Sequence, residues 1–181
     1  MKNLFVSLLA AASILTPGVA KAQNSSSDHL QLWNALQQVG VTTFYNHPIH
    51  CHKDKKVDGL YYPYSAMLVV CQDNMTTPSK EQDWTPNDFD TLRHEAHHVV
   101  QDCAYGVLGD GRMGPMFTND ELVTFLDNSS YSYEQLNALY ESLKGRGLND
   151  MSIQEEMEAH VVASDIPAET ISAKVIEFCT K

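Results

Sequence analysis

The sequence predicts an α+β fold, a small antiparallel sheet followed by a helical C-terminal half. Three observations lead there. Short β-branched and aromatic runs occur only ahead of Gln72. From Pro86 onward, apolar residues recur at helical spacing between capping signals. A polar, irregular stretch from Gln72 to Gln82 separates the two regions.

Residues 1–22 read as a secretory signal peptide: Lys2, an apolar run from Leu4 to Leu15, then small residues around a cut after Ala22. Residues 23–181 are expected to form a single domain, large enough for its own core. A first helix is expected from Leu30 to Val39, ended by Gly40, then a strand over Val41–Tyr45. Gly59–Tyr62 and Ala66–Cys71 form the next two strands, joined by Pro63-Tyr64-Ser65. A long helix starts at Pro86 with Thr85 as its cap, and stops near Tyr105 at Gly106. A glycine-rich loop follows to Met116, and then four helices. The first is capped by Asn119 or Asp120 and runs to Leu126. The second starts at a Ser132/Gln135 capping box, the third at a Ser152/Glu155 box, and the fourth at Pro167.

The chain has 181 residues and a formal charge of −11, and loss of Lys2 and Lys21 would make it more acidic still. Such a protein repels phosphate backbones and anionic lipid, so nucleic acid is excluded as a partner and no stable membrane association is expected after signal cleavage. No later run is apolar and long enough to span a bilayer. The expected compartment is the periplasm or the external medium. Four cysteines in an exported chain read as two disulfides, expected as Cys51–Cys71 and Cys103–Cys179.

The chemistry concentrates in His94-Glu95-Ala96-His97-His98, an HExxH motif. Residues four apart on a helix share a face, so the imidazoles of His94 and His98 can reach one Zn²⁺ ion. Glu95 beside them is placed to take a proton from a zinc-bound water as general base. At about 100° per residue, Leu92, Ala96, Val99, Val100 and Cys103 make an apolar stripe. His94, Glu95, His98, Gln101 and Asp102 fall on the opposite side, toward a cleft. His97 lies between and takes a structural role. A third histidine on the same segment is excluded, because Gln101 and Ala104 stand where that pattern needs glycine and histidine. The third ligand is then a carboxylate from Glu155, Glu156 or Glu158.

The motif and the downstream Glu156-Met157-Glu158-Ala159-His160 resemble the gluzincin branch of zincin metallopeptidases. The resemblance implies Glu156 as the third metal ligand, with Glu158 as second choice. His160 stands where the family often has an Asp that hydrogen-bonds a ligand histidine. The span from Cys51 to Cys103 is also similar to small exported or phage-borne metallopeptidase-like proteins. The implied activity is zinc-dependent hydrolysis of a peptide or protein substrate. The alternative is a catalytically inactive zinc-binding module.

Other features are weaker. Tyr61, Tyr62 and Tyr64 lie near the strand expected to border the cleft, and packing is the favoured role for them and for Tyr131, Tyr133 and Tyr140. His47, His50 and His52 surround Cys51 as a solvated loop cluster.

Overall fold

The computed structural model describes residues 26–51 and 57–180. The expected signal segment 1–22 and His52 lie outside them. The class is α+β. The element order is α1 (Ser26–Gln38), β1 (Thr42–Tyr45), β2 (Gly59–Tyr62), β3 (Met67–Val70), α2 (Pro86–Tyr105), α3 (Asn119–Asp127), α4 (Tyr133–Gly145), α5 (Asp150–Asp165) and α6 (Ala168–Cys179). Among the described residues, no helix is long and apolar enough to cross a membrane.

The sheet corrects one expectation. It is mixed, in the order β1-β3-β2. β2 and β3 form an antiparallel hairpin with Tyr62 opposite Met67, but β1 runs parallel to β3 with Thr42 opposite Met67. The end of β1 at Tyr45 and the start of β2 at Gly59 both lie opposite Val70, so the chain leaves β1 and enters β2 at the same end of β3, on its two opposite edges. Strand patterning carries no information about direction.

α2 is the central element. Thr85 and Asp88 make a reciprocal capping box, Pro86 opens the helix, and the Gly106 N–H closes it on the Asp102 carbonyl. Its stripe of Leu92, Ala96, Val99, Val100 and Cys103 is buried against Leu32, Leu36, Leu68, Val161, Ile171 and Val175. The expected open side is another correction. Gln101 and Asp102 are fully buried, so only the His94, Glu95 and His98 portion borders a cleft. α5 and the turn after Gly106 cover the rest of that face.

Two of the helices downstream, α3 and α5, start earlier than their apparent caps. Thr118 caps α3 in a box with Glu121, in place of Asn119 or Asp120. Asn149 caps α5 by accepting from the Ser152 N–H, so the Ser152/Glu155 box does not form. Glu155, Glu156 and Glu158 therefore sit mid-helix. The Ser132/Gln135 box of α4 does form.

Two ties fix α5 and α6 against α2, and a third braces the sheet. The buried Arg93 guanidinium donates from Nε to the Ala163 carbonyl of α5 at 2.6 Å and from Nη1 to His29 of α1, and it also pairs with Asp90. Cys103–Cys179 joins the ends of α2 and α6 across 76 residues. A crosslink of that span constrains the unfolded chain by about 4 kcal/mol in chain-entropy terms. Cys51–Cys71 pins the segment after β1 to the end of β3. Both pairings are those expected.

Candidate metal centre

α2 and α5 bring three donor side chains to one point. The Nε2 atoms of His94 and His98 lie 3.1 Å apart. Glu156 places Oε2 3.5 Å from His94 Nε2 and Oε1 3.7 Å from His98 Nε2. Donors about 2.1 Å from a tetrahedral ion stand about 3.4 Å from one another. The separations lie near that length, the two to Glu156 reaching different carboxylate oxygens, so this cluster could hold a metal ion. His160, one helical turn beyond Glu156, packs edge-on against the His94 ring at 4.5 Å between centroids. One donor atom each of His94, Glu156 and His160 lie within 4.8 Å of one another. Two overlapping triads therefore share His94 and Glu156.

The electrostatics suit a cation. Burial is the largest influence on both imidazoles: it brings His94 down to about 4 and lowers His98 as well. Burial likewise brings His160 to about 4. Neutral rings at neutral pH keep lone pairs for coordination. For Glu156, burial pushes upward, but the hydrogen bond with His94 and the charges of the surrounding imidazoles hold it at about 2. Glu95 is raised well above the usual carboxylate range by burial and then by the Glu156 charge. It is buried and lines the cavity, and among the described residues no hydrogen bond reaches its carboxyl group.

The cavity measures about 1710 Å³. Its walls include His94, Glu95, His98, Glu156 and His160, the β2 residues Gly59, Leu60 and Tyr61, and Arg146 at the end of α4. β2 presses close to α2 here. A Cβ on Gly59 would meet Thr91 Cγ2 at 2.5 Å and Glu95 Cγ at 3.0 Å, so glycine permits the approach.

Glu158 is not brought to the cluster. It is fully buried on another side of α5 and accepts the backbone N–H groups of Met116 and Phe117 at 2.8 and 3.1 Å. It also accepts from the side-chain amides of Gln101 and Gln154. His97 is buried too, with Nε2 3.7 Å from Glu158 and no hydrogen bond to that nitrogen among the described residues. Glu155 is buried beside them and rises to about 7, through burial first and then the charges of Glu158 and Glu156.

Tyr61 donates its hydroxyl to Asp102 at 2.5 Å, and the same carboxylate oxygen accepts from the Gly109 N–H. Burial and the Asp102 contact raise its pKa. Tyr62 bonds to His50 Nδ1, Tyr64 and Tyr133 are exposed, and Tyr131 and Arg146 line the cavity. The His47 and His50 rings meet at a tilt with 4.6 Å between centroids, and neither lines the cavity. The reading from sequence missed Gln101, whose side chain meets His98 Nδ1 at 2.7 Å. Its i, i+3 spacing from His98 was an available signal. No known protein family, curated protein or solved structure matches this chain.

Proposed function

We propose that this protein is an exported zinc-dependent hydrolase of peptide bonds, with zinc held by His94, His98 and Glu156. One observation carries the reading: the Nε2 atoms of His94 and His98 stand 3.1 Å apart, each with a Glu156 oxygen at 3.5 or 3.7 Å, beside the buried carboxyl of Glu95. When bound, zinc supplies Lewis acidity, which acidifies water and polarises the carbonyl under attack. Glu95 takes the proton of the attacking water. Glu95 then delivers that proton to the leaving amine nitrogen.

The substrate would lie along β2. That strand is at the edge of the sheet, and Gly59, Leu60 and Tyr61 border the cavity, so an extended peptide can pair with it while its scissile carbonyl reaches Glu95. The signal-like segment and two intact disulfides support export.

A second reading is a zinc-binding module without turnover. His160 favours it, because a fourth protein donor near the cluster could close the position that water needs. Purified mature chain distinguishes the two. The hydrolase reading expects one zinc per chain and cleavage of a peptide library. Glu95→Gln should then keep the zinc and lose cleavage by about 10²–10⁴-fold. A Glu95→Gln chain that holds zinc and cleaves as fast as the wild type would sink the reading. Zinc at full stoichiometry with no cleavage would favour the module.

A further inference from the structure

We propose that Gln101 is the positioning residue of His98: its side-chain oxygen holds the ring in the tautomer with the proton on Nδ1, so that the Nε2 lone pair faces His94 and Glu156. This rests on the reading of His98 as a metal ligand. It adds the group that prepares that ligand before any metal arrives.

A glutamine amide can turn either its oxygen or its NH₂ toward a ring nitrogen, and the two orientations demand opposite tautomers. Here the neighbours decide. The Gln101 nitrogen lies 3.0 Å from Glu158 Oε2 and 3.2 Å from the Glu155 carbonyl oxygen. Both neighbours are acceptors. Turning the amide over would set oxygen against two oxygens and forfeit two hydrogen bonds. Gln101 and Glu158 are both 0 % exposed, so water cannot compensate. The amide oxygen is left facing His98 Nδ1 at 2.7 Å, and only a protonated Nδ1 can donate to it. The lone pair of the neutral ring then resides on Nε2, the atom 3.1 Å from His94 Nε2 and 3.7 Å from Glu156 Oε1.

Glu158 is itself held. The N–H groups of Met116 and Phe117 and the Gln154 amide converge on it, so its carboxylate cannot rotate to release Gln101. A chain of contacts thus runs from the loop ahead of α3, through α5, to the imidazole on α2. The carboxylate that the sequence offered as an alternative ligand instead orients the residue that orients a ligand.

The test reads the ring directly. Two-bond ¹H–¹⁵N correlation of metal-free wild-type chain at about pH 8, where a histidine ring is neutral, should show His98 protonated on Nδ1 and bare on Nε2. Gln101→Met keeps the volume and removes the oxygen. It should mix the tautomers and weaken zinc binding 10–100-fold by competition titration. Gln101→Glu keeps an acceptor for Nδ1–H, and should retain the tautomer and hold zinc at least tenfold more tightly than Gln101→Met, even where its thermal midpoint falls. A wild-type ring protonated on Nε2 overturns the proposal, whatever the variants do. So does a Gln101→Met chain that binds zinc within threefold of wild type. If the wild-type ring shows the expected tautomer but zinc does not bind, the positioning inference holds and the metal reading fails.

Discussion

Glu156 and Glu158 leave the same helix two residues apart, about 200° around its axis, and meet opposite surroundings. Glu156 turns to the cavity, where its partners are the imidazoles of His94 and His98, groups that could share a cation with it. Glu158 turns inward, where four N–H groups from α2, α5 and the loop ahead of α3 surround it. A side chain offered imidazoles can bind metal; one saturated by neutral donors supports structure. The elements covering each face of α5 make that difference.

The sharpest break of the comparison is to truncate each carboxylate. Glu158→Ala leaves several buried N–H groups without an acceptor, and should cost about 3–5 kcal/mol in denaturant unfolding of the metal-free chain. Glu156→Ala should change that stability by less than about 1 kcal/mol, but weaken zinc binding by more than about 100-fold, beyond what loss of a supporting residue costs. Equal stability losses in the two variants would erase the distinction.

The next effect concerns the anchoring of α2. Replacing Cys103 and Cys179 together by Ala should lower stability by about 2–4 kcal/mol, while zinc stoichiometry at saturation stays unchanged. Loss of stoichiometry in a folded variant would show that the disulfide shapes the site as well as bracing it.

A smaller effect lies in the pH dependence. Glu155 has a folded pKa near 7, above the ordinary 4.5. Its stabilising contribution is therefore complete below 4.5 and lost as pH rises through about 7. His94 works in the opposite sense. Its folded pKa is depressed from 6.5 to about 4, so stability falls as pH drops through that window. Glu155→Gln should remove the first contribution and raise stability at about pH 8 relative to pH 4.5 by on the order of 1–2 kcal/mol. Parallel pH–stability curves for wild type and variant would refute the assignment.

The smallest effect is at Tyr61. Its hydroxyl is committed to Asp102, so Tyr61→Phe should cost about 1 kcal/mol of stability and leave peptide turnover within about threefold. A large fall in turnover at unchanged zinc affinity would give the hydroxyl a place in the chemistry.

The sequence disclosed α2 almost completely, since Thr85, Pro86 and Gly106 are local signals and His94, Glu95 and His98 follow from helical spacing. Both disulfide pairings were also legible. What it did not disclose depended on partners distant in the chain. β1 runs parallel to β3 because of the path of its connection. α5 starts at Asn149 because that side chain, and not Ser152, captures the free N–H. Gln101 and Asp102 look like cleft residues on a helical wheel, yet α5 and the Gly109 turn bury them. Periodicity tells which residues share a face, and leaves open what covers it.

The burial of α2 on nearly every side also determines how the domain opens. From Leu92 to Cys103 only His94 retains more than slight exposure, whereas α3 and α4 each bury a single residue, Phe125 and Leu143. Backbone amides in the middle of α2 can then exchange with solvent only through complete unfolding, while those of α3 and α4 exchange through local opening. Two of the three donors thus belong to the last segment to melt. One wall of the cavity, where α3 and α4 contribute Phe125 and Arg146, can fluctuate while the histidines stay in register.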